Sequence, residues 1–98
     1  MSETLFDPGM VVITNTFQTT CHNGEIDEAE MVRDYLEKHV TGDWGDCCPE
    51  DKKVNDDALK TGNRIMSVYT LADDSKTRFW VITEWDRSVT TFLLPEDY

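Results

Sequence analysis

Glu84, Asp86, Arg87 and Ser88 stand within five residues of one another, with Thr90 and Thr91 close behind. A carboxylate base, a guanidinium for an oxyanion or phosphate, and nearby hydroxyls are the working parts of a small hydrolase-like enzyme. The same residues also suit a hairpin turn. An Asp side chain bonds turn backbone, and Arg87 has Glu84 or a helix carboxylate to pair with. The turn is the favoured reading, and catalysis by Glu84, Asp86 and Arg87 is the alternative.

A second cluster lies in the stretch GDWGDCCPED, Gly42 to Asp51. Asp43, Asp46, Glu50 and Asp51 offer the oxygen ligands that Mg²⁺ or Ca²⁺ takes, but not at EF-hand spacing. Acids at the start of a helix are favoured there without any metal. Cys21, Cys47 and Cys48, with His22 and His39, contain neither C-x-x-C nor H-x₃-H spacing, so no zinc site is expected. Three cysteines do not make a disulfide framework and read as reduced thiols. A thiol at a helix N-terminus, as at Cys47 or Cys48, can have a lowered pKa, which alone is weak support for a nucleophile. Neither histidine has a serine near it in sequence, and no glycine-rich phosphate loop follows a strand. No cofactor is implied.

The elements that hold these residues follow from pattern. Arg64 to Tyr98 reads as a three-stranded meander, with Asp73-Asp74-Ser75-Lys76 and Asp86-Arg87 as its turns. Centring the first turn on Asp74-Ser75 sets Tyr69 opposite Trp80 and Ser67 opposite Ile82. The second turn sets Trp80 opposite Leu93 and Ile82 opposite Thr91. One face then carries Ile65, Tyr69, Trp80, Ile82, Val89 and Leu93. The other carries Met66, Val68, Phe79, Val81, Phe92 and Leu94. Both faces are apolar, so both need a cover. Helices supply one cover; the N-terminal strand region, a second subunit or a partner supplies the other.

Upstream, Met10-Val11-Val12-Ile13 is a short strand. Thr14 to Gly24 reads as a loop in which a strand could continue through Phe17. Asp27 is a helix N-cap with Glu30 at capping-box spacing, followed by Met31, Val32, Tyr35, Leu36 and Val40 on one face and Gly42 past the end. Pro49 opens a second helix through Val54, Ala58 and Leu59, closed by Gly62. Trp44, between two glycines, either plugs the core or stands at a contact surface. The expectation is one α+β domain: a three- to four-stranded antiparallel sheet with two helices packed mainly on one face. It divides into an N-terminal strand and loop (1–24), an acidic helical layer (25–62) and a β-meander (63–98).

Ninety-eight residues suffice for one modest core, and a 39% hydrophobic content is that of a globular chain. The start, MSETLFDPGM, has neither the basic nor the apolar region of a signal peptide, and no run is long enough for a membrane helix. Cytoplasmic residence is the default. The net charge is −11. Such a surface repels nucleic acid and anionic lipid and favours a basic protein partner. From Glu25 to Asp57, twelve acids face four bases, so −8 of the charge sits on the helical third. Asp43, Trp44, Asp46, Glu50, Asp51, Asp56 and Asp57 are the candidate partner-binding residues.

A wider pattern runs through Gly42-Asp43-Trp44-Gly45, Glu50-Asp51, Asn55-Asp56, Ala58-Leu59, Gly62, Arg64, Ser67 and Tyr69-Thr70-Leu71. It continues in Ile82-Thr83-Glu84, Asp86 to Thr91, Leu93 to Glu96 and Tyr98. This pattern resembles a group of small bacterial proteins encoded on plasmids, phages and integrative elements, some loosely labelled restriction-system subunits. It covers residues 42–98. Trp85 departs from it, where relatives tend to have a small residue, and so does the segment from Phe17 to Gly24. The resemblance implies a mobile-element accessory protein and brings no mechanism with it. Together with the charge it leads to a non-catalytic acidic binding module. In concrete form that is an anti-defence (anti-CRISPR or anti-restriction) inhibitor that occupies a basic nucleic-acid-binding surface. A homodimeric regulatory subunit is the third class.

Overall fold

The computed structural model describes residues 4–71 and 77–98. Strand β1 (Met10–Ile13) is followed by helices α1 (Asn15–Asn23), α2 (Glu28–Val40) and α3 (Pro49–Thr61). Strands β2 (Ile65–Thr70), β3 (Arg78–Thr83) and β4 (Val89–Leu93) and a 3₁₀ turn (Pro95–Asp97) complete the chain. The sheet order is β1-β4-β3-β2, antiparallel except for the parallel pair β1/β4. The fold is α+β, and the C-terminal third is a three-stranded meander, as expected.

Helices α2 and α3 start and stop where their caps say. The Asp27 side chain accepts from the Glu30 N–H, Pro49 opens α3, and Gly42 and Gly62 take positive φ just past the helix ends. Thr14 to Gly24 is not a loop but a third helix. Thr14 caps it by accepting from the Phe17 N–H, and Phe17 and Cys21, one turn apart, are its buried residues. In α3 it is Asn55 and Ala58 that go inward, while Val54 is exposed.

The β3/β4 register is the expected one, with Trp80 opposite Leu93 and Ile82 opposite Thr91. The β2/β3 register is one residue away from expectation: Tyr69 faces Phe79, Ser67 faces Val81 and Val68 faces Trp80. Tyr69 and Trp80 therefore lie on opposite faces of the sheet. Asp73 to Lys76, the expected turn, lie outside the described residues, but Leu71 still bonds the Thr77 carbonyl. The connection thus spans five residues instead of four. A one-residue slip flips a whole strand, and burial decides between the two registers. The observed one puts Ile65, Ser67, Tyr69, Phe79, Val81, Thr83, Thr90 and Phe92 together on the helix side, all buried.

That side holds the main core. Phe17, Cys21 and Met31 from the helices meet Tyr69, Phe79, Val81 and Phe92 from the strands. A second cluster, Trp44, Cys47, Ala58 and Ile65, fills the space under α3. On the opposite face Ile82 and Leu93 are buried. There the Tyr98 ring packs on Trp80 at 5.5 Å, and Arg64 both donates to the Tyr98 hydroxyl and lies over its ring.

The two sheet edges are treated differently. Along β2, the Val68 N–H donates to the Trp44 carbonyl and the Asp46 N–H donates to the Val68 carbonyl. The Asn55 amide does the same work one pleat away, donating to the Met66 carbonyl and accepting from its N–H. The exposed backbone of that edge is thus satisfied by a loop and a side chain. Gly45 makes the approach possible: its φ is +72°, and a Cβ there would collide with the Val68 carbonyl. At the other edge, β1 has β4 on one side and, among the described residues, no strand on the other.

Candidate functional site

At the β3/β4 turn the Asp86 and Arg87 side chains are both engaged in structural bonds. Asp86 accepts from the Ser88 N–H at 3.0 Å and from its hydroxyl at 2.6 Å, and these bonds hold its carboxyl below the usual pKa. Arg87 sits in the left-handed region at φ 61°. Its guanidinium donates to the carbonyls of Asn63, Ala58, Glu84 and Trp85, and it also lies over the Phe6 ring. It binds main-chain oxygens at the end of α3, not the expected carboxylate. Glu84 is tied into the ladder through its backbone, which donates to the Val89 carbonyl.

One chemically suggestive pair went unseen in the sequence because its members are 28 residues apart. His39 Nδ1 lies 2.5 Å from Ser67 Oγ, and Nε2 lies 2.8 Å from Thr83 Oγ1. Thr83 Oγ1 is 2.7 Å from Thr90 Oγ1, which in turn donates to the Pro8 carbonyl. That carbonyl can only accept, so every proton behind it is ordered. Thr90 spends its proton on Pro8, Thr83 spends its own on Thr90, and His39 must donate from Nε2. Nδ1 is then bare and accepts from Ser67. A serine donating to a neutral imidazole is the starting arrangement of nucleophilic catalysis. Here both groups are completely buried, flanked by Phe6 and by Trp44, and no substrate reaches them. Burial first and the Arg87 charge second lower the His39 pKa to about 3. The chain of bonds is a polar seam: on β2, Ser67 stands between Ile65 of one core cluster and Tyr69 of the other.

The three thiols are not joined in disulfides, and they are dispersed. Cys21 packs against the Met31 sulfur, Cys47 is buried beside the Met66 carbonyl with its pKa pushed up mainly by burial, and Cys48 is exposed. Among the described residues no three His, Cys, Asp or Glu side chains converge as metal ligands would.

The acidic residues divide into two groups. On α3, Glu50, Asp51 and Asp57 are exposed but alternate with Lys52, Lys53 and Lys60. Asp56 is engaged by the Trp44 indole N–H at 3.0 Å. Trp44 is only 4% exposed, so it plugs the core and holds the loop instead of offering a contact. Asp43 and Asp46 fall elsewhere, beside α2. Three shallow depressions, of about 280, 390 and 260 Å³, share Lys38 as a lining residue. Around that one base stand Asp27, Glu30, Asp34, Glu37, Asp43 and Asp46. The first depression has an apolar floor of Ile26, Met31 and Tyr35. Asp43 also accepts from the Gly45 N–H, and Asp46 from the Thr70 hydroxyl, so both carboxylates are fixed in place.

The structure thus collects only Asp43 and Asp46 of the sequence-derived residues, and adds three carboxylates from α2 and that of its N-cap, Asp27. Their helical positions 27, 30, 34 and 37 were readable as one exposed stripe. That the Asp43–Asp46 loop folds against the stripe was not. No family model matches the chain, and no curated protein or solved structure matches it.

Proposed function

We propose that this chain is a non-catalytic protein-binding module that takes a basic partner on the acidic surface of α2 and the Asp43–Asp46 loop. Six carboxylates around a single lysine, next to an apolar floor, carry the reading. Such a surface suits Lys or Arg side chains, whose charged ends meet carboxylates while their stems lie on Ile26, Met31 and Tyr35. It repels phosphate, so the fit is to a protein that binds nucleic acid and not to nucleic acid itself. The motif resemblance of residues 42–98 to mobile-element proteins supports a concrete form. The partner is then a restriction or CRISPR complex, and this chain occupies its nucleic-acid-binding surface. The Asp86 carboxylate is engaged by Ser88 and the Arg87 guanidinium by four main-chain carbonyls, which argues against the enzyme alternative.

Capture from a host lysate at low and moderate ionic strength tests the reading. A partner held at low salt should be released as salt rises. The triple variant Glu30→Lys, Asp34→Lys, Glu37→Lys should fail to hold it while keeping its fold. For the concrete form, expression beside an active restriction or CRISPR system should restore plating of a targeted phage, and the triple variant should not. Binding indifferent to salt and to the triple variant would overturn the proposal.

A further inference from the structure

The protein covers the backbone of one sheet edge and, among the described residues, leaves the other open. In the parallel β1/β4 ladder, the Met10 N–H donates to the Ser88 carbonyl and the Thr14 N–H to the Phe92 carbonyl. Alternation then turns the N–H and C=O of Val11 and Ile13 away from β4, toward the open edge. Natural edge strands are usually blunted by a charge, a proline or a cover. Here the strand is Met-Val-Val-Ile, with Met10 66% and Val12 37% exposed. It is also held rigidly. Gly9, at φ +67°, lies so close to the β3/β4 turn that a Cβ would strike the carbonyls of Arg87 and Ser88. A pre-ordered edge with two outward N–H/C=O pairs is the template that strand addition uses.

Charge selects the occupant. Asp7 marks the start of the strand, where it accepts from the Gly9 N–H, and Asp97 marks its end, where it accepts from the Thr14 hydroxyl. No Lys or Arg occurs in the first 32 residues of the chain. Arg87, whose backbone lies against Gly9, has its guanidinium turned to carbonyls at the end of α3. In an antiparallel pairing of two copies, Asp97 of one would meet the Asp7 end of the other, acid against acid. We infer that β1 is a docking edge for an extended segment of another protein, one that alternates apolar residues and carries Lys or Arg at both ends. Its backbone would pair with Val11 and Ile13, its apolar side chains would lie beside Met10 and Val12, and its cations would meet Asp7 and Asp97.

The probe is the blocked peptide Lys-Thr-Val-Thr-Val-Lys, titrated into the full chain and read from its backbone amide resonances. The Val11 and Ile13 amides should shift and become protected from exchange. A peptide with Glu in place of both Lys should bind far more weakly. Proline is tolerated at an edge position whose N–H faces outward. Val11→Pro should therefore leave the fold intact and weaken the peptide by about tenfold, the loss of roughly one to two hydrogen bonds. It should also leave the α2 surface working, so this inference and the proposed function fail separately. Equal binding of the Glu peptide, full binding by Val11→Pro, or no change at Val11 and Ile13 would overturn it. So would concentration-dependent dimerisation that Val11→Pro abolishes, since the edge would then belong to a second copy.

Discussion

Below pH 6.5 an unfolded histidine takes up a proton that folded His39 refuses until about pH 3. The folded pKa is depressed, so the stabilisation is complete above pH 6.5 and is lost as pH falls toward 3. Within that window the unfolded state binds one proton more, and stability drops by about 1.4 kcal/mol per pH unit from this group alone. Urea titrations of the wild type and His39→Gln between pH 7.5 and 4.5 measure it. Gln keeps one donor and one acceptor but does not titrate, so its stability should fall less steeply by that slope; parallel curves would refute the assignment. Arg87 works on the same seam from outside, through its charge on His39 and its bonds to the end of α3. Arg87→Ala removes the guanidinium from four carbonyls and should cost about 2–3 kcal/mol, as charged hydrogen bonds do. It should also let His39 titrate at a higher pH, which separates it from a purely mechanical loss. None of this was legible in the sequence. His39, Ser67, Thr83 and Thr90 are unremarkable one by one, and only the β2/β3 register brings them together.

Among the elements, α2 and α3 were readable because their signals are local: an N-cap, a proline at the first turn, a glycine past the end. Helix α1 was not, because only Phe17 and Cys21 face the core and the rest is Thr, Asn, Gln and His. Two buried residues make too narrow a stripe to stand out, although Thr14 with Phe17 and Cys21 contained the signal. The strand identities were plain, while the first register turned on whether a loop has four or five residues, which no local rule fixes. Tertiary burial of Phe79 and Tyr69 fixed it. The same elements set a prediction about the β2 edge. Asn55→Ala leaves the Met66 N–H and C=O without their partner and should destabilise by about 1–3 kcal/mol. Gly45→Ala strains a left-handed residue and pushes the loop off Val68, with a cost on the order of 1–3 kcal/mol or more. Both variants uncover edge backbone, so both should aggregate faster on warming than an equally destabilised core variant such as Val81→Ala. Chemical denaturation with light scattering on heating distinguishes the two effects. Equal scattering at equal stability would show that the cover has no protective role.

Across the whole molecule, charge opposes folding. The chain carries −11, and its ion pairs among the described residues are Arg33–Asp34 and Lys38–Asp43, both at 3.7 Å and both exposed. Exposed pairs of that kind contribute little. Six carboxylates held around Lys38 are kept close by the fold at an electrostatic cost that the unfolded chain relaxes. Neutral salt screens that cost: the Debye length falls to about 10 Å at 0.1 M. Raising sodium chloride at pH 7.5, where His39 contributes no slope, should therefore raise the melting temperature. A gain of about 1 kcal/mol corresponds to roughly 4–8 °C for a domain of this size. The neutral variant Glu30→Gln, Asp34→Asn, Glu37→Gln relieves the same repulsion by chemistry, so it should melt higher than wild type at low salt and respond less to salt. A surface acidic against the stability of its own fold would support the proposed role in contact. Wild type that is indifferent to salt, or a neutral variant that melts lower at low salt, would remove that argument and leave the acid as a solvated coat.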